Sequence, residues 1–284
     1  MKLCNVEIHG EPFVGAMTDS GVANITSLGF PSRMNDVIKG GGELLTRIED
    51  ALKEKTPHIY REQSLKFLPV TEPAKIICMG YNYKNHAEEG GSSVPDHPVF
   101  FSKFADALSA HNEPVPLPAG FSEYDYEAEL VIVIGKYAYN VTVDEAQACI
   151  YGYTCGNDLS ARDAQFLSSQ WLSGKALPGF GPIGPCIVTR DSFDPCESNA
   201  IQCEVNDVTV QSAYTKDMIF PCIEAVSKAS RFFPLHPGDI IFTGTPGGVI
   251  HGKPEDKRVW LKPGDIVKVS IDGVGTLITP LVKA

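Results

Sequence analysis

The sequence lacks a basic surplus: 24 Lys and Arg stand against 35 Asp and Glu, for a formal net charge of -11. That balance argues against nucleic acid or an acidic membrane surface as the main partner, because both need a basic footprint. A small anionic substrate stays open, provided a local cation or metal inverts the field. No window reaches the ~18 apolar residues that suggest a membrane span. The N-terminal "MKLCNVEIHGEPFVG" has no continuous apolar core of the secretory kind. These absences together predict a cytoplasmic protein. The eight cysteines (4, 78, 149, 155, 186, 196, 203 and 222) include no CxxC pair and have no His interleaved at zinc-ligand spacing. They read as buried free thiols, since Cys often serves as a small core residue. Low-complexity segments are missing too. So is a regular strand–helix alternation, which argues against a doubly wound sheet and for a mixed, mainly β core.

What is present is enough chain for a large domain, or a large domain and a small one: 284 residues, 43% hydrophobic and 21% charged. Residues 1–30 alternate apolar and polar with Gly breaks, which predicts a meander of short strands. Residues 33–66 have helical period and charge, interrupted at Gly40–Gly42 and Pro57. "LPVTEPAK" (68–75) reads as a linker, dividing a small N-terminal module (1–70) from the chemistry-bearing 71–284. Beyond it the spacing predicts a strand over 75–80 and a helix over 81–91 closed by two glycines. An extended loop over 94–120 and a strand over 124–134 come next. Helices follow over 143–149, 161–170 and 217–232, with hairpins at Asn206-Asp207 and Asp272-Gly273.

Chemistry concentrates in a few stretches. In "YDYEAELVIVI" (124–134), period-two alternation puts Asp125, Glu127 and Glu129 on one strand face. They are either a solvated acidic edge or ligands of a hard divalent cation, which would remove their repulsion. Asp158 in "GNDLSARD" is either a third such ligand at a strand end or the N-cap of the next helix. Arg162 and Gln165 share a helix face, free or turned to one ligand. His86 and Glu89 are spaced i, i+3, as a carboxylate-oriented base or as a polar surface turn. "GKALPGFGPIGP" (174–185) offers close backbone approach and one cation, Lys175. "FTGTPGGV" (242–249) offers amides and the Thr243 and Thr245 hydroxyls to an anion, and it is not a P-loop.

In order and spacing these pieces resemble the fumarylacetoacetate hydrolase family. The matching stretches are "KIICMGYNYKNHAEE", "YDYEAELVIVIGK", "GYTCGNDLSARDAQF", "SGKALPGFGPIGP", "GDIIFTGTPGGV" and "LKPGDIVKVSIDGVGTL", together covering roughly 71–284. The resemblance implies an α+β fold: a mixed β-roll catalytic domain with a small N-terminal α/β module, usually a homodimer. It implies Mg²⁺ or Mn²⁺, with Ca²⁺ as a further option, on Glu127, Glu129 and Asp158. A His86–Glu89 catalytic pair is implied, with Lys175 on the metal shell or the substrate oxygen. Tyr83, Arg162, Gln165, Gly244 and Thr245 would contact substrate, and Asp125 stays outside the metal shell. The expected activity is hydrolysis of a C–C bond in a small diketo acid such as an acylpyruvate or fumarylacetoacetate. The alternative on the same site is decarboxylation or enol–keto isomerisation of a 2-oxo dicarboxylic acid such as oxaloacetate. A rival of another class is a non-catalytic protein with a structural Ca²⁺, against which His86, Glu89 and Lys175 argue, since a structural site uses neither a base nor a cation.

Overall fold

Alternation over the first thirty residues does make a meander. The computed structural model, which describes residues 1–89 and 93–284, pairs β1 (Lys2–Ile8), β2 (Glu11–Thr18) and β3 (Gly21–Asn24) antiparallel. Positive φ at His9 and Gly10 supplies the tight turn between the first two. The helical period beyond yields α1 (Met34–Glu54), bent at Gly41 within the glycine run. It does not reach residue 66. Pro57 lacks an amide proton and disfavours helix before it, and β4 (Ile59–Tyr60) and β5 (Lys66–Phe67) follow instead.

After β6 (Ile76–Gly80) and α2 (Lys84–Glu89), the stretch read as an extended loop is partly drawn into sheets as β7 (Val99–Lys103), β8 (Leu108–Ala110) and β9 (Val115–Leu117). Gly90 and Gly91, expected to close the helix, lie outside the described residues. The acidic stretch forms two strands, β10 (Tyr124–Asp125) and β11 (Ala128–Ile134). α3 (Val143–Cys149), capped reciprocally by Thr142 and Glu145, leads to β12 (Ile150–Asn157) and β13 (Ser160–Ala161). The helix expected over 161–170 stops after one turn, α4 (Arg162–Gln165). Ser168 Oγ accepts the Gln170 amide there, offering the backbone an alternative to helix. Next come α5 (Leu172–Lys175), β14 (Gly181–Thr189), β15 (Ala200–Val205) and β16 (Val208–Tyr214), the last two joined at Asn206-Asp207 with both φ positive. α6 (Cys222–Ser230) starts behind Pro221, later than the spacing predicts, and β17 (Ile240–Phe242), β18 (Ile266–Ile271) and β19 (Gly275–Lys283) finish the chain.

The strands assemble into a mixed, sheet-dominated α+β fold. The large sheet runs β4-β3-β2-β1-β14-β12-β11-β17-β6-β7, with β5 on β1 and β8 on β14, so β1 against β14 carries the N-terminal strands. A second sheet runs β16-β15-β18-β19-β9. β11 is flanked by β12 and β17 and every one of its residues is buried. Leu130 and Ile132 join the core that holds Cys203 and Val269 of the second sheet, while Val131 and Val133 join the core that holds Ile38 and Ile48 of α1. The free thiols serve this packing: seven of the eight cysteines are buried and Cys196 is exposed. Among the described residues, no helix is long and apolar enough to cross a membrane.

His111, between β8 and β9, ties these parts together. Its ring packs edge-on to Phe67 at 4.9 Å, and Nδ1 accepts the Ile278 amide at 3.2 Å. Burial lowers its pKa from 6.5 to about 4. Below its ordinary pKa the unfolded chain takes a proton that the folded chain refuses, so stability falls as pH drops from 6.5 toward 4 and levels off beneath. From pH 7.5 to 5 this group should cost on the order of 1–2 kcal/mol. Denaturant midpoints of wild type and His111→Gln at both pH values check this; an equal acid loss in both would remove His111 as the cause.

Candidate active site

The register of β11 against β12 builds the site. Ala128 pairs with Asn157 and Glu129 with Gly156. Just past these pairs, the Asp158 amide donates to Glu127 O at 2.9 Å and the Glu127 amide to Asn157 Oδ1 at 3.1 Å. Antiparallel geometry thus brings Glu127, Glu129 and Asp158 together, with carboxylate oxygens within 4.8 Å of one another and all three residues buried. A solvated acidic edge is excluded, because these residues sit at the ends of central strands. Asp158 is no N-cap either: the residue preceding α4 is Ala161.

Three buried cations answer the carboxylates. Lys175 Nζ donates to Glu127 Oε2 at 2.7 Å and Asp158 Oδ2 at 3.0 Å. Arg162 donates from Nη2 to Glu127 Oε1 at 2.7 Å, from Nε to Asp125 Oδ2 at 2.9 Å and from Nη1 to Gln165 Oε1 at 2.9 Å. Lys103 Nζ lies 2.5 Å from Asp158 Oδ1, yet its protons go to the carbonyls of Leu159, Lys175 and Phe180. Burial alone would raise Glu127, but Lys175 and Arg162 outweigh it and hold the carboxyl well below the usual range. Burial, then Asp158 and Glu127, push Glu129 well above that range; among the described residues no side-chain cation bonds it, and its one donor is the Gly244 amide at 2.7 Å. Gly174 lets this form: a Cβ there would meet Ala161 O at 2.4 Å, so only glycine seats α5 close enough to deliver Lys175.

The arrangement fits a hard divalent cation. Its donors are three carboxylates with no sulfur or imidazole among them. Buried Asp158 Oδ1, with Lys103 Nζ 2.5 Å away, accepts no hydrogen bond among the described residues. Glu129 faces two carboxylates with no cation of its own. A divalent ion would satisfy both.

Beside the triad is a cavity of about 140 Å³, lined by His86, Glu127, Arg162, Gln165, Lys175 and Thr245 among the expected residues. The others fall elsewhere. Tyr83 is in the core, its hydroxyl unpartnered, away from the lining. The Gly244 amide is committed to Glu129. Glu89 does not bond His86; its carboxylate accepts the Gly248 amide at 2.8 and 3.0 Å. Burial lowers the His86 pKa, and its Nδ1 has no partner among the described residues. Asp125 is satisfied without a metal, by Arg162 and by the Tyr126, Ile250 and His251 amides at 2.8–2.9 Å.

Sequence reasoning missed several contributors. Tyr81, Phe101, Trp171, Phe166 and His251 also line the cavity. Gln211, from the second sheet, accepts the Ala128 amide at 3.0 Å and donates to Thr245 Oγ1 at 2.8 Å. Lys103 carries the third buried charge. Only the aromatic run "YNY" and the "FF" before Lys103 hinted at any of this.

Known proteins resemble this chain in sequence and in fold. The family model described as fumarylacetoacetate (FAA) hydrolase C-terminal matches residues 75–282. The human protein "Oxaloacetate tautomerase FAHD2A, mitochondrial" is 37% identical over 278 residues, spanning 95% of this chain and 88% of that protein. A fumarylacetoacetate hydrolase domain-containing protein 2 homolog from Dictyostelium discoideum is 44% identical, spanning 76% of this chain and 74% of its own. Among solved structures, maleylpyruvate hydrolase from Sphingobium sp. SYK-6, in complex with manganese(II) and pyruvate, superposes with a TM-score of 0.83 at 30% identity over the whole of both chains. The chain belongs to the fumarylacetoacetate hydrolase family, whose members are metal-dependent hydrolases, isomerases and decarboxylases.

Proposed function

We propose that this enzyme moves a proton within a small 2-oxo dicarboxylic acid, interconverting the enol and keto forms of an oxaloacetate-like substrate. The observation that carries this over C–C bond hydrolysis is the separation of Glu89 from His86. Hydrolysis needs a water made nucleophilic by a base with a carboxylate behind it. Here that carboxylate is spent on the Gly248 amide. A tautomerase activates no water and needs only one positioned base. Relatives spanning 95% and 96% of the chain carry the name oxaloacetate tautomerase.

Glu127, Glu129 and Asp158 would hold Mg²⁺ or Mn²⁺, which when bound supplies Lewis-acid stabilisation of negative charge on the 2-oxo oxygen. Lys175, bonded to two of these carboxylates, adds a fixed cation beside the same oxygen. His86 is the base: burial keeps its imidazole neutral and able to accept a proton at ordinary pH. It takes a C3 proton from the keto form, the C–H electron pair becomes the C2=C3 bond, and charge passes to the 2-oxo oxygen. Return of the proton to that oxygen completes the enol. Tyr81, Phe101 and Trp171 exclude water around the ring.

Hydrolysis remains the second reading, favoured by the Sphingobium hydrolase, and it requires Glu89 to leave Gly248 for His86. We also carry forward a homodimer in a reducing, cytoplasmic setting. Exposed Phe104 and Phe232 beside the edge strand β7 offer an apolar face, and the free thiols suit that compartment. The mass in solution by light scattering tests the dimer, and that of a single chain would end it.

Manganese at a hundred times its Kd should stabilise the wild type by about 2.7 kcal/mol. Glu129→Gln should lose most of that shift together with activity; a retained shift would remove the triad as the metal site. His86→Ala should keep the shift while slowing enol–keto exchange roughly 10²–10⁴-fold. NMR in deuterium oxide with oxaloacetate and acylpyruvates reads both alternatives: C3 exchange without C–C cleavage supports the tautomerase, and rapid acylpyruvate cleavage overturns it.

A further inference from the structure

Gln211 stands behind the cavity wall, on β16 of the second sheet, and is 2% exposed. Its side chain makes three bonds, and they fix which way its amide faces. Oε1 accepts the Ala128 amide at 3.0 Å, while Nε2 donates to Pro246 O and to Thr245 Oγ1, each at 2.8 Å. Turning the amide over would set its oxygen against a carbonyl and its nitrogen against an N–H, so the surroundings allow this orientation alone. Both Nε2 protons are then placed. Thr245 Oγ1 is an acceptor toward Gln211, and the hydroxyl's own proton must go elsewhere.

Among the described residues neither that proton nor the Thr245 amide has an acceptor. The neighbours in the "TGTP" loop differ: Thr243 Oγ1 donates to Leu130 O at 2.8 Å, and the Gly244 amide to Glu129 Oε2 at 2.7 Å. These bonds pin the loop to β11. On its other side the loop rests on Gln211, where a Cβ on Gly248 would come within 3.3 Å of Gln211 Cγ. Thr245 itself lines the cavity beside the triad, so its two unspent donors form one corner of the wall. Charge says what that corner receives. Four carboxylates (Asp125, Glu127, Glu129, Asp158) face three cations (Lys103, Arg162, Lys175), so a divalent ion turns a deficit of one into a surplus of one. The ligand that completes the site is an anion, and a hydroxyl beside an amide suits a carboxylate.

We propose that Gln211 is a positioning residue that commits the Thr245 hydroxyl to donate to a carboxylate oxygen of the ligand. The ligand class, a 2-oxo acid, rests on the functional reading above. An unheld hydroxyl spreads over three staggered rotamers, and some of them turn a lone pair toward the anion. Held by Gln211, the hydroxyl is set as a donor before the ligand arrives, so binding does not have to order it. The same amide takes the Ala128 N–H between Glu127 and Glu129, which puts the donor and the metal ligands in one frame. Other donors line the cavity, the Gln165 amide, the Trp171 indole and the Tyr81 hydroxyl among them. None of them bonds Gln211, so a change at position 211 that acts through Thr245 can be told apart from theirs.

The test is a double-mutant cycle read by calorimetric titration of the Mn²⁺-loaded protein with pyruvate, which carries the 2-oxo acid group. Thr245→Val should weaken pyruvate about tenfold to a hundredfold, the worth of one hydrogen bond to a charged group. Thr245→Ser, which keeps the hydroxyl, should retain most of the affinity. Gln211→Met should weaken pyruvate roughly threefold to tenfold, the hydroxyl then having three rotamers to share. On the Thr245→Val background the same change should cost less than about twofold, because the hydroxyl it acts through is gone. Mn²⁺ affinity should hold in every variant. Should Gln211→Met fail to fold, Gln211→Glu carries the same cycle, keeping an acceptor for the Ala128 amide and reversing the bond to Thr245. In turnover, Gln211→Met should raise KM for oxaloacetate by the factor seen with pyruvate, with kcat within about twofold. An unchanged pyruvate affinity, a loss undiminished on the Thr245→Val background, or Mn²⁺ affinity falling in step with that of pyruvate would overturn the assignment. The titrations need no turnover. A wild type inert toward oxaloacetate whose pyruvate cycle is coupled overturns the functional reading and keeps Gln211; turnover with an additive cycle does the reverse.

Discussion

Everything in this molecule answers to seven charged side chains buried where β10, β11, β12 and β13 meet. Removing an ion from water costs several kcal/mol even after relaxation, so each of these groups must be neutralised or hydrogen-bonded by the fold itself. The surrounding short elements do this. α4 is a single turn that presents Arg162 to Asp125 and Glu127. α5 is another, packed against it through Gly174, that presents Lys175 to Glu127 and Asp158. Lys103 binds the carbonyls of Leu159, Lys175 and Phe180, pinning the three segments that carry or flank those charges. Glu129 is the member that this arrangement leaves uncompensated. The scaffold accepts that cost at the one carboxylate where a cation from outside has most to gain.

Asp125 shows how a residue beside a site can serve it without joining it. Its two oxygens accept three backbone amides and the Arg162 guanidinium, so it carries the orientation of Arg162 to the loop that bears His251. Gln211 does comparable work from the other sheet, holding the Ala128 amide between the two glutamates and the Thr245 hydroxyl on the opposite wall. The second sheet is therefore part of the site, although none of its strands bears a proposed ligand.

The pairing of Glu127 with Glu129 was legible from strand alternation, while Asp158 stayed open between a ligand and an N-cap until the register of β11 against β12 placed it beside them. Strand alternation puts Glu127 and Glu129 on one face, and an antiparallel return brings Asp158 opposite Glu127. The buried β11 core was readable from "LVIVI" for the same reason. Less regular features were not. Splitting of the acidic stretch at Tyr126–Glu127 and recruitment of 99–117 into sheets depend on partners distant in sequence, and the end of α4 after Gln165 goes with an irregular local bond between Ser168 and Gln170. Gln211 meets Ala128 across 83 positions, and nothing local to "VTVQSA" marks it as a wall of the cavity. The i, i+3 spacing of His86 and Glu89 left their contact open. Sharing a helix face makes a contact available, but a backbone amide from elsewhere can take the carboxylate first.

That competition links the glycine loop to the chemistry. Gly248 has φ +108°, and a Cβ there would meet Val210 O at 2.5 Å, so only glycine lets its amide stand where Glu89 takes it. A Cβ on Gly247 would meet Glu89 Oε1 at 2.9 Å, so its absence is what leaves room for the carboxylate. The "PGGV" sequence thus supplies the amide that takes the Glu89 carboxylate. On the proposed reading, with Glu89 on the loop, His86 is a lone neutral base suited to moving one proton on carbon. With Glu89 behind it, the imidazolium would be stabilised enough to generate a nucleophilic water. One metal scaffold can then support proton transfer or C–C cleavage according to which partner a single glutamate holds, with the catalytic residues themselves unchanged.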